Sequence, residues 1–118
     1  MVKIKRLVKS FGYAWRGLLK VLHEEQNFKI ELIVAAVVLL LALLLEISFL
    51  EGAILALACG LVLVMEIINS AIEAISDALK PKLDSYIKRI KDIVAAGVMV
   101  ASLTAVVVGV LIFWPYIF

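Results

Sequence analysis

A single histidine, a single cysteine and no phosphate-cradling glycine loop narrow the chemistry open to this chain. Cys59 has no second thiol to pair with, so an intrachain disulfide is excluded. It sits inside an apolar run, where a small buried side chain is its ordinary role. With His23 as the sole imidazole there is no Ser-His-Asp arrangement, and a zinc site has too few ligands. His23 reads as an interfacial residue. Neither G-x-x-x-x-G-K-[ST] nor G-x-G-x-x-G occurs, so a bound nucleotide would need an unconventional site. No short apolar core with a small-residue cleavage site follows the basic N-terminus, so a cleavable leader is not expected.

What the chain has instead is apolar length. Of 118 residues, 65% are hydrophobic, with a mean hydropathy of +1.15, against roughly half for a soluble domain. The excess falls in long runs, which a bilayer requires and a water-soluble core does not. The length allows one domain, residues 1–118. Three spans are predicted, at 28–48, 52–79 and 93–114. Leu32 to Leu45 carries no polar residue, Gly52 to Met65 none that is charged, and Ile93 to Trp114 no charge. Glu46 to Glu51 forms a short turn, Pro81 ends the second helix, and Lys82 to Asp92 is a polar connector with some helix of its own. Trp114 and Tyr116 stand where an interfacial aromatic belt would place them. Gly97 and Ala101, four apart, suit close helix approach.

Residues 1–24 form an amphipathic segment. Ile4, Leu7, Val8, Phe11, Trp15, Leu18, Leu19 and Leu22 recur at mostly three- and four-residue spacing among Lys3, Lys5, Arg6, Lys9, Arg16 and Lys20. No acid interrupts them up to Leu22, and Tyr13 and Trp15 add amphipathic rings. This is the pattern of a helix lying on a membrane surface. Every Lys and Arg falls before the first span, at its entry (Lys29), or between Lys80 and Lys91. The turn between the first two spans holds only acids. The positive-inside rule then places the N-terminus in the cytoplasm and the C-terminus outside.

The second span does not end where its apolar run ends. Glu66, Asn69, Glu73 and Asp77 continue the helix at offsets that fall within an arc of about 80°, with Ser70 at its edge. The opposite face holds Ile67, Ile68, Ala71, Ile72 and Ile75. A helix leaving the bilayer explains exposed acids at Asp77 and Glu73. It does not explain Glu66, which follows the apolar run directly and needs a partner, a proton or a cation. Carboxylates on one face suit magnesium, which takes oxygen ligands and commonly bridges to phosphates. A further carboxylate can accept a proton from a hydroxyl nucleophile. The competing reading is a non-enzymatic membrane protein, such as a transporter subunit or an assembly partner, with the stripe lining a helix contact. The core of the first span and the third span offer only Ser102 and Thr104 to face such a path.

The run from Glu66 to Asp77, with its Glu, Asn, Glu and Asp at this spacing, resembles the signature of the bacterial diacylglycerol kinase and undecaprenol kinase family. Phe11 to Leu18 is similar to that family's surface helix, Glu25 to Glu31 to the entry of its first span, and Lys91-Asp92 with Ala95 to Gly97 to the entry of its third. The resemblance covers nearly the whole chain. It implies an all-α integral membrane homotrimer, with three spans and a surface helix per subunit and sites shared between neighbours, in the bacterial cytoplasmic membrane. It implies transfer of the γ-phosphoryl of Mg·ATP to the hydroxyl of a membrane lipid, with no nucleic-acid partner. Glu66 would be the general base, supported by Asn69. Glu25 and Glu73 would bind magnesium. Arg6, Tyr13, Asp77, Lys91 and Asp92, with Glu25 and Glu73, would contact ATP. Arg6, Trp15, Asn27, Glu31 and Glu66 would meet the lipid. The connector Lys80 to Tyr86 departs from the family's usual Glu-Tyr-His stretch, so no nucleotide contact is carried to Lys82, Leu83 or Asp84.

Overall fold

A computed structural model describes residues 3–79 and 84–118. Pro81, expected to end the second helix, lies outside the described residues, as do Lys82 and Leu83. The described chain is helical throughout: α1 (Ile4–Glu24), α2 (Gln26–Leu44), α3 (Phe49–Leu79) and α4 (Asp84–Ile117). The last three are long and apolar enough to cross a membrane. At 1.5 Å per residue α2 is about 28 Å long, close to a bilayer's hydrocarbon thickness. The 31 residues of α3 and 34 of α4 reach about 46 and 51 Å. Both therefore extend well beyond the hydrocarbon, and their extra turns carry the polar residues.

The α2–α3 turn is built from two helix-end motifs placed back to back. Glu46 adopts a left-handed φ of 53°. Its N–H donates to Leu43 O, and the Ile47 N–H reaches back to Ala42 O, each at 3.2 Å. This is a Schellman closure of α2, with a glutamate where glycine is usual. Ile47 also joins the apolar cluster of Ala42, Leu55 and Ile112, the hydrophobic contact such a cap favours. Ser48 then opens α3 as half of a capping box. Its Oγ accepts from the Glu51 N–H at 3.2 Å, and Glu51 Oε1 accepts from the Ser48 N–H at 3.3 Å and from its Oγ–H at 2.9 Å. That box starts α3 at Phe49, three residues before the apolar run beginning at Gly52. The Tyr116 hydroxyl donates to the same Glu51 oxygen at 2.6 Å, tying the end of α4 to this turn.

The most extensive packing is between α3 and α4. Ala101 is 4% exposed, and a Cβ at Gly97 would lie 2.7 Å from Met65 Cε. Gly97 thus packs directly against α3, and Ala101 is buried one turn further on. The polar stretch before Ile93 does not interrupt α4: from Asp84 onward it and the apolar run form one helix. At the other end of the fold, α1 and α2 are joined by one non-helical residue. Glu25 is extended (φ −102°, ψ 109°). Its N–H closes α1 on Val21 O at 2.8 Å, and its carbonyl accepts the Lys29 N–H at 3.2 Å to open α2.

Candidate functional site

The polar stripe of α3 leaves the protein interior in steps. Glu66 is 6% exposed, Asn69, Ser70 and Glu73 are half-buried, and the Asp77 side chain is 71% exposed. Burial along the stripe follows the helix from the apolar run toward water. Only its innermost member needs a special explanation.

Two other elements bring carboxylates to the stripe. Glu25, at the α1–α2 corner, accepts a hydrogen bond from Ser70 Oγ at 3.0 Å. No glycine or proline forces the chain to break at this corner, and the side-chain tie to α3 fixes it there. Glu31, two turns into α2, brings its carboxyl into hydrogen-bonding range of Glu66. Glu31 Oε2 is buried and has no donor among the described residues. Glu66 also lies in the fields of Glu25 and Glu73. On the stripe itself, Asn69 Nδ2 donates to Glu73 Oε1 at 3.4 Å.

Three carboxyls, those of Glu25, Glu31 and Glu73, therefore lie around Glu66, with no basic side chain paired to the four among the described residues. Such a group binds cations and repels a second anion. The one described ion pair lies at its outer end, where Lys91 Nζ on α4 stands 3.9 Å from Asp77 Oδ1. A phosphate approaching from that side would meet this lysine first. Arg6, Tyr13, Trp15, Asn27 and Asp92 are exposed, and no hydrogen bond joins their side chains to the carboxyl group among the described residues. The Arg16 guanidinium sits 4.9 Å from the centroid of the Tyr13 ring, a cation–π contact along α1. Sequence periodicity found the stripe and missed the Ser70–Glu25 tie and the Glu31–Glu66 contact. Both join different segments, and helical spacing carries no information about that.

A groove of about 560 Å³ opens between α2, α3 and α4. Its walls are almost wholly apolar. Glu31 stands at one end and Trp114 and Phe118 at the other, with Ala35, Ala58 and Gly109 keeping it open between them. Glu31 thus belongs both to the groove and to the carboxyl group. The site offers an apolar groove that ends at half-buried Glu31, the neighbour of buried Glu66.

Comparison with known proteins shows the family. The profile of the prokaryotic diacylglycerol kinase family matches residues 12–113. The chain belongs to the prokaryotic diacylglycerol kinase family, a class of membrane lipid kinases. It is 34% identical over 113 residues to an undecaprenol kinase of Bacillus subtilis, covering 96% of this chain and 92% of that one. It is 30% identical over 111 residues to a diacylglycerol kinase of Escherichia coli, covering 94% and 91%. A diacylglycerol kinase of Helicobacter pylori is 34% identical over 113 residues, covering 96% and 81%.

Proposed function

We propose that this protein phosphorylates the hydroxyl of a membrane lipid alcohol, diacylglycerol or undecaprenol, with the γ-phosphoryl of Mg·ATP. The observation that carries the reading is the set of carboxyls of Glu25, Glu31, Glu66 and Glu73, one of which, Glu31, forms an end of the apolar groove. A lipid tail in the groove would bring its headgroup hydroxyl to Glu66. Glu66 accepts the hydroxyl proton as the oxygen bonds to the γ-phosphorus and the bond to the leaving ADP oxygen breaks. Such a reaction depends mainly on positioning and charge stabilisation.

The donor set fits magnesium. No three described His, Cys, Asp or Glu side chains close into a cage, and magnesium rarely uses one. It takes one or two carboxylates and completes its shell with water and phosphate oxygens. Glu25 and Glu73 would hold it, each fixed by a hydrogen bond to one oxygen, from Ser70 and Asn69 respectively. The ion, when bound, neutralises charge on the nucleotide's phosphates. Lys91, Asp92, Asp77, Arg6 and Tyr13 would contact the nucleotide, and Trp15, Asn27 and Glu31 would flank the lipid's approach.

In this reading α1 lies on the cytoplasmic surface of the bacterial cytoplasmic membrane, with its basic residues toward lipid phosphates. The N-terminus is cytoplasmic, the C-terminus outside, and three copies assemble around shared sites. The test is transfer of labelled γ-phosphate to each lipid by the purified protein in mixed micelles. Phosphorylated lipid from at least one is expected, and its absence from both overturns the proposal.

A further inference from the structure

The kinase reading gives Glu31 no more than a place beside the lipid's approach. The structure gives it a direct partner. Its carboxyl meets that of Glu66, and Glu31 Oε2 is buried with no donor among the described residues. A buried acceptor without a donor is costly, and a native structure gives such an atom a reason. Two carboxylates cannot hydrogen-bond each other, since neither carries a hydrogen. One proton on the pair turns the contact into a short, strong bond. It also supplies the missing donor.

We propose that Glu31 is a positioning residue for Glu66, holding it through a hydrogen bond that carries one shared proton. The inference rests on the proposed lipid-kinase activity. The bond spans α2 and α3, so the reactive carboxyl is fixed between two helices rather than by its own rotamer alone. It also sets Glu66 beside the end of the groove, which Glu31 forms. The other titratable groups facing the pair are Glu25 and Glu73. Both are acids, so no basic side chain among these groups offers the pair a donor.

The test compares Glu31→Gln and Glu31→Ala with the wild-type protein in lipid micelles. Gln keeps the volume, and its amide N–H can donate to Glu66; Ala removes both. The expected result for Glu31→Ala is a fall in kcat of about ten- to a hundredfold, the scale of a misplaced reacting group. Its KM for the lipid should change little. Glu31→Gln should recover part of that loss, with an altered pH profile because the shared proton is gone. Infrared spectra should show a protonated-carboxyl stretch in the wild type that both Glu31→Gln and Glu66→Gln remove. The inference is overturned if KM for the lipid rises while kcat holds, as for a residue that only lines the lipid's path. It is also overturned if the stretch is missing from the wild type or survives Glu31→Gln. If Glu31→Ala does not fold, the pH profile and spectrum of Glu31→Gln decide. An inactive wild-type protein would instead overturn the kinase reading and, with it, this inference.

Discussion

Glu66 and Glu73 lie two turns apart on one helix face, yet their surroundings assign them different work. Glu66 is buried against another carboxyl, while Glu73 is half-buried and takes a hydrogen bond from Asn69. Glu66→Gln keeps the shape and removes the proposed base. Turnover should fall by about a hundredfold or more, with ATP still bound, as read by lipid phosphorylation beside nucleotide binding on the same preparation. Near-normal turnover would remove Glu66 from the chemistry. Glu73→Gln removes an anionic oxygen from the proposed magnesium donor set of two. Its magnesium titration should shift to higher concentration, and an unshifted curve would leave Glu73 without a metal role. The residue types on the stripe were legible from spacing alone. The division of labour between them was not, because it depends on Glu31 and Glu25, which belong to other segments.

At the scale of elements, the α2–α3 turn shows how local rules and their exceptions combine. Ser48 and Glu51 follow the capping-box pattern, so Ser48→Ala should lower stability in detergent by about 1 kcal/mol. Glu46 breaks the rule for its position. A left-handed non-glycine residue costs about 1–2 kcal/mol, and glycine returns about 0.5–1 of that as extra chain entropy in the unfolded state. Glu46→Gly should therefore stabilise by a few tenths to about 1 kcal/mol. Thermal unfolding of the two variants should move in opposite directions, and a loss in Glu46→Gly would show that the glutamate side chain has a role of its own.

The element boundaries were the least legible part of the sequence. Glu46 to Glu51 reads as a loop because it is polar at both ends, although Ser48 and Glu51 already belong to the start of α3. Lys88, Arg89, Lys91 and Asp92 suggest a connector, although a helix carries charge easily once it has left the hydrocarbon. Pairs such as Ser70–Glu25 and Tyr116–Glu51 lie 45 and 65 residues apart, out of reach of any local pattern.

For the whole molecule, the apolar runs carried most of what could be read in advance. Three long apolar helices and a family of membrane lipid kinases make this a membrane protein. The isolated chain leaves large apolar side chains exposed along all three long helices, available to lipid and to other copies. In native mass spectrometry from detergent, the proposed assembly should appear at three times the 13.0 kDa of one chain. A single-chain species that phosphorylates lipid at full rate would overturn the trimer.

The one-residue corner at Glu25 has a thermodynamic consequence. The residue that sets the angle between α1 and α2 is also a proposed magnesium ligand. Metal affinity and the tilt of α1 are then linked quantities, and linkage is reciprocal. Magnesium at the proposed site would favour one inclination of α1, and a membrane surface that favoured that inclination would tighten magnesium binding by the same factor. The bilayer would act on this protein as an effector of its metal site as well as its solvent.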